Sequence, residues 1–146
     1  MKHEILVYNK TSQKILKKFI VQTILEILSF LKIKQPAELA VLIVGKSEVK
    51  RLNKIWRKVN ETPDELSFGL NSRLPAGGVK FAKDNNGVLE LGEIVINADK
   101  ISDKGYLSKI LVHCLLHLLG YHHEKSVTVA KKTERLEKRI LKHLKI

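Results

Sequence analysis

Three histidines within one short segment carry the densest chemistry of the chain: His113-Cys114-Leu115-Leu116-His117-Leu118-Leu119-Gly120-Tyr121-His122-His123. Imidazoles four residues apart share one face of a helix, about 6 Å apart along its axis at a rise of 1.5 Å per residue, so both can reach a single ion. Gly120 can take the left-handed conformation that ends a helix and turns the chain back. The turn then offers His123 as a third donor, with His122 as the rival, because neighbours in a turn point different ways. Three neutral nitrogens and one open position are what a catalytic zinc ion takes. The plainer explanation, three unconnected core histidines, needs a separate hydrogen-bond partner for each in an apolar surround.

With Gly120 seven residues after the first histidine, the segment matches the zinc-peptidase pattern H-E-x-x-H-x-x-G-x-x-H at every defined position but one. Cys114 stands where that pattern has its glutamate, the general base of peptide hydrolysis. A thiol inside an apolar helix acts as a small apolar filler. The scaffold therefore reads as peptidase-like while its chemistry does not, and a peptidase-type metallohydrolase stays as an alternative.

The elements that must position these residues follow from hydrophobic periodicity and turn chemistry. Glu4 to Asn9 reads as a strand, then Thr11 or Ser12 caps a helix to about Leu31 whose inner face holds Ile15, Phe19, Gln22/Thr23, Leu25/Glu26 and Ser29/Phe30. Leu39 to Val44 reads as a strand buried on both faces. Ser47 caps a second helix to about Lys58, with Val49, Leu52, Ile55 and Trp56 inward. A short strand at Leu66 to Leu70, a loop over 71–87 and a strand from Val88 to Ile96 precede a helix from Ser102 to Leu119. A last helix runs from about Thr128 to Leu144. This order predicts an α+β fold in which one mixed sheet of about four strands packs with helices, as a single domain over 1–146.

Composition narrows the function classes. A hydrophobic fraction of 44% with 3 Pro and 8 Gly excludes a disordered basic tail. The lone Cys114 excludes an internal disulfide framework and a four-cysteine zinc cluster. No secretory leader is visible, and the longest candidate span, Phe19 to Ile33, is interrupted by Gln22, Glu26 and Lys32, so the expectation is a cytoplasmic protein without membrane contact. The 27 Lys and Arg against 15 Asp and Glu leave +12, well above the roughly 2–8 charges that solubility calls for. Residues 46–58 hold six cations against Glu48, a net of +5, and residues 125–146 hold eight against Glu134 and Glu137, a net of +6. Such a footprint suits a phosphate backbone, and no aromatic stacking array accompanies it to read bases.

The run from His113 to His123 resembles the H-G-x-L-H-L-x-G-Y-D-H signature of the YbeY family, bacterial metal-dependent endoribonucleases acting in ribosomal RNA maturation. Leu52-Asn53-x-x-Trp56-Arg57 is similar to that family's L-N-x-x-Y-R helix. Asp64-Glu65-Leu66-Ser67-Phe68 is similar to its T-D-V-L-S-F strand, and Leu91-Gly92-Glu93-Ile94-Val95-Ile96 to its L-G-D-I-V-I. Four positions depart from the pattern: Cys114 replaces Gly, Pro63 replaces Thr, Glu65 replaces Val and His122 replaces Asp.

The resemblance implies a zincin-like fold and one Zn2+ held by His113, His117 and His123. It implies catalytic roles for His113, His117 and Arg57, the last matching the family's functional arginine. A guanidinium grips phosphate oxygens in pairs and offsets charge growing in a phosphoryl-transfer transition state. Arg57, Ser67 and Asp64 are the expected substrate contacts, with Glu93 and Glu124 as further candidates and a cap or ion pair as the structural alternative for the acidic ones. The implied substrate is single-stranded RNA, namely the 3′ end of precursor small-subunit rRNA, and the implied partner is the small ribosomal subunit, with a part in ribosome quality control. A non-catalytic ribosome-assembly factor with a structural zinc is the alternative from another class.

Overall fold

A computed structural model of the chain describes residues 3–69, 72–73, 79–80, 82–83, 87–121 and 127–145. In chain order the elements are β1 (Glu4–Asn9), α1 (Lys17–Phe30), β2 (Ala37–Val44), α2 (Lys46–Leu52), a π-helical turn (Asn53–Arg57), β3 (Glu65–Gly69), β4 (Ser72–Arg73), β5 (Val79–Lys80), β6 (Ala82–Lys83), β7 (Leu89–Asn97), a 3-10 turn (Ala98–Lys100), α3 (Lys104–Leu118) and α4 (Val127–His143). The main sheet runs β1-β2-β7-β3, with β6 pairing beside β7 and β4-β5 forming a separate ladder. β1 and β7 flank β2 and both pair parallel to it, while β3 and β6 run antiparallel to β7. The α+β class and the mixed sheet expected from the sequence are both present.

Strand alternation divides the sheet into two faces. Val7, Leu39, Val41, Ile43, Ile94 and Ile96 join buried residues of α1 and α3 in the larger core. Val44, Leu66 and Val95 join Val49 of α2 in a smaller one. β3 therefore sits between two packed layers, and its alternate residues belong to different ones. Gly92 and Gly69 face each other across the β3–β7 ladder. Gly92 has φ 118°, and a Cβ there would lie 2.1 Å from the Phe68 carbonyl oxygen, so the backbones meet where no side chain fits.

Local chemistry moved some boundaries. α1 starts at Lys17, because Asn9 Oδ1 accepts from the Thr11 backbone and hydroxyl at 2.9 and 2.7 Å, and Thr11 Oγ1 accepts from Gln13 N at 3.2 Å. Thr11 thus closes a turn instead of capping a helix. The buried stripe of α1 is Ile20, Thr23, Ile24, Ile27 and Leu28, so Leu25 and Ser29, expected inward, are exposed. Ser47 lies inside α2, which begins after Gly45. Ile55 and Trp56 were expected in the core and are exposed, Trp56 by 67%. Both lie within the π turn, whose wider winding takes them out of the 3.6-residue phase. No helix among the described residues is long and apolar enough to cross a membrane.

Candidate active site

α3 is held at both ends by its own sequence. The Asp103 carboxylate accepts from the backbone N–H of Gly105 at 2.9 Å and of Tyr106 at 3.2 Å, capping the first turn. At the other end Gly120 N donates to His117 O at 3.0 Å and Tyr121 N to Leu116 O at 2.9 Å, with Gly120 at φ 96°. This paired closure is the one a left-handed residue permits, and Gly120 fills it as its sequence position implies. Leu107, Leu111, Cys114, Leu115 and Leu118 are buried, while His113 and His117 remain half-buried with ring centroids 4.4 Å apart. The i, i+4 spacing has therefore brought two imidazoles side by side.

β3 supplies the opposite wall. Ser67 pairs with Ile94, whose side chain belongs to the α3 side of the sheet, while Phe68 pairs with Glu93 on the other face. A cleft of about 550 Å³ opens between the two elements, lined by Arg57, Glu65, Leu66, Ser67, His113, Cys114 and His117. Arg57 enters from the end of the π turn, whose buried Asn53 fixes the following segment by donating from Nδ2 to Glu61 O at 3.2 Å. The π turn and β3 thus meet α3, far from both in sequence, in one cavity.

Glu65 is a site residue that sequence reasoning did not single out. Burial pushes its carboxyl above the usual carboxylate range, Asp64 adds to the shift, and the Arg57 guanidinium opposes it. Burial also pushes the Cys114 thiol well up, with the charge of Glu65 adding to it, so Cys114 is a neutral filler as expected. Asp64 is placed differently from the expectation. Its carboxylate accepts the Tyr106 hydroxyl and lies 3.8 Å from Lys100 Nζ, while its carbonyl accepts Asn97 N at 2.8 Å. It is tied to the entry of β3 and does not line the cleft. The hydrogen bond to Asp64 is the main reason the Tyr106 hydroxyl is pushed up to about 12.

Two converging imidazoles beside an open cavity fit a pair of ligands on one metal ion, since neutral imidazole suits zinc and related ions. Among the described residues no three His, Cys, Asp or Glu side chains converge closely enough to hold an ion. His122, His123 and Glu124 lie outside the described residues. Glu93, a further candidate, lies instead in a groove of about 620 Å³ lined by Leu42, Leu52, Trp56 and Phe68, on the sheet face turned away from Ser67.

An α+β sheet-and-helix frame with a histidine pair, a guanidinium and a carboxyl in one open cavity has the makings of a small hydrolase. A family model described as Endoribonuclease YbeY matches residues 5–145. The chain belongs to the endoribonuclease YbeY family, and as a member of it is a hydrolase acting on RNA. Among curated relatives, the Endoribonuclease YbeY of Thermodesulfovibrio yellowstonii is 40% identical over 129 residues, covering 81% of this chain and 75% of that protein. The Endoribonuclease YbeY of Aquifex aeolicus is 34% identical over 116 residues, covering 73% and 70%. The solution structure of TM1509 from Thermotoga maritima shares the fold with a TM-score of 0.56 at 20% identity, covering 94% of this chain and 86% of that one.

Proposed function

We propose that the chain, as one domain over residues 1–146, is a cytoplasmic zinc-dependent endoribonuclease that cuts single-stranded RNA at the 3′ end of precursor small-subunit rRNA, on or near the small ribosomal subunit, and so serves ribosome maturation and quality control. The observation that carries the reading is the cavity shared by His113, His117 and Arg57 in a member of this family. His113, His117 and His123 would hold one Zn2+, which when bound supplies Lewis acidity to a phosphoryl oxygen.

Arg57 presents paired N–H donors to the phosphate and offsets the charge that grows as the phosphodiester is attacked. Lysine, a point charge on a flexible stem, does not reproduce that fork. The Ser67 hydroxyl, on the same wall, donates to or accepts from the substrate. Burial that disfavours the Glu65 carboxylate reduces its electrostatic opposition to an incoming phosphate. Asp64 acts through Tyr106 and Lys100, holding the entry of β3 and so the placement of Glu65 and Ser67. The cations of α2 and α4 add sequence-independent attraction for the RNA backbone.

Single-stranded and duplex RNA, offered to zinc-loaded, chelated and His117→Ala protein, test this reading. Cleavage confined to the single strand, abolished by chelation and by His117→Ala with RNA affinity unchanged, is the expected result. Cleavage that survives both treatments, or efficient hydrolysis of casein by the loaded protein, contradicts it.

A further inference from the structure

α4 brings beside His113 a carboxylate that has no part in the proposed chemistry of the cleft. Outward, the helix is cationic: Lys131, Arg135, Lys138 and Lys142 recur at intervals of four and three residues and all are exposed. Glu137 departs from that surface. It lies four residues after buried Thr133 and three before buried Ile140, on the flank of the helix that packs toward α3. Its side chain is only 21% exposed, and its Oε1 stands 3.8 Å from Nδ1 of His113. That separation exceeds a hydrogen bond but is within ion-pair contact.

The nitrogen involved is informative. An imidazole binds an ion through one nitrogen only, and the hydrogen on its other nitrogen needs an acceptor that fixes both tautomer and ring orientation. Nδ1 of His113 faces Glu137, so an ion bound through Nε2 would leave the Nδ1 hydrogen directed toward that carboxylate. Setting a carboxylate on the packed side of a helix also costs desolvation, which a charged or strongly polarised partner must offset.

We propose that Glu137 is a positioning residue of the metal site: its carboxylate holds the His113 ring in the Nδ1-protonated tautomer with Nε2 directed to the zinc ion, tying α4 to the centre. The inference rests on the zinc reading of His113, His117 and His123. It assigns α4 a part in metal retention besides its cationic face.

Metal affinity tests the proposal without recourse to activity. Full-length apo-protein, as wild type, Glu137→Gln, Glu137→Ala and His117→Ala, is titrated with Zn2+ against a chromophoric chelator, and each apo form is melted in parallel. The glutamine keeps the shape of the side chain and removes its charge. Expected are zinc affinities about 10–100-fold weaker for both Glu137 variants, as is usual when the partner of a ligating histidine is lost. Apo Glu137→Gln should melt with the wild type, and His117→Ala should bind zinc more weakly than either Glu137 variant. Zinc affinity of Glu137→Gln within threefold of wild type overturns the positioning role, and a change confined to apo melting does so as well, by assigning Glu137 to helix packing alone. If wild type itself binds no zinc, the metal reading falls and this inference with it; if wild type binds and the Glu137 variants match it, only this inference falls.

Discussion

Gly92→Ala is expected to damage the site from a distance by pushing β3 off the sheet. The new Cβ would stand 2.1 Å from the Phe68 carbonyl oxygen and 3.0 Å from Gly69 Cα, both backbone atoms, where ordinary contact is roughly 3.5 Å. β3 must then withdraw by more than about 1 Å, enough to take the neighbouring ladder hydrogen bonds out of range. Losing two of them costs about 0.5–1.5 kcal/mol each. A left-handed backbone on an L-residue adds about 1–2 kcal/mol, for a total of about 2–5 kcal/mol out of the usual 5–15. Urea unfolding followed by circular dichroism reads this loss. RNA cleavage should fall with it, because Ser67 lies two residues before Gly69 on the displaced strand. Gly45→Ala is the internal control: nothing lies within 4 Å of its added Cβ and its φ is −73°, so stability should stay within about 0.5 kcal/mol. A Gly92→Ala protein within 0.5 kcal/mol of wild type would refute the close-approach reasoning.

Four other outcomes are expected. Arg57→Lys should lower kcat about 100-fold while RNA affinity changes little, and wild-type kcat in that variant would remove the guanidinium from the mechanism. Glu65→Gln in apo-protein should melt higher than wild type near neutral pH, with the difference vanishing in acid: a raised carboxyl pKa means that the folded state favours the protonated form and loses stability as pH rises through the folded pKa. A glutamine variant that melts lower at neutral pH contradicts this. For Tyr106, stability from its hydrogen bond to Asp64 is present below the ordinary phenol value of 10.0 and lost as pH rises through about 12, so Tyr106→Phe should be less stable at pH 8 yet flatter above pH 10 in urea titrations; parallel pH profiles would count against it. Replacing Lys131, Lys138 and Lys142 by Gln should flatten the log–log salt dependence of RNA binding by about 2, at roughly 0.7 per phosphate contact on a single strand, whereas an unchanged slope would leave these lysines merely solvated.

Features governed by local rules were legible in the sequence. The α3 histidine pair, the Gly120 closure and the first strand, β1, depend on spacing, capping and alternation within a few residues, and they stand where those rules put them. What escaped depended on partners distant in sequence. Glu65, unlike Ser67, carried no expectation of its own, because its alternation with Leu66 reads as a half-solvated strand; the fold instead turns the polar face of β3 onto α3 and makes it a cavity wall. The alternation was the available signal for Glu65, but only β3–β7 pairing decides what the polar face meets. Glu137 was counted among the charges of a basic helix, and only the packing of α4 against α3 brings it to His113. Trp56 was misplaced because a π turn leaves no signature in a count of 3.6 residues per turn.

Stoichiometric metal content, measured in the same preparations as cleavage, tests the zinc-centred assignment most directly. Wild-type and His113→Ala proteins, purified alike and verified as folded by circular dichroism, are submitted to elemental analysis and assayed on single-stranded RNA. One zinc per wild-type chain, lost together with cleavage in His113→Ala, is the predicted result. A wild-type protein that cleaves RNA with no stoichiometric transition metal, or a His113→Ala protein that retains both zinc and activity, would contradict it.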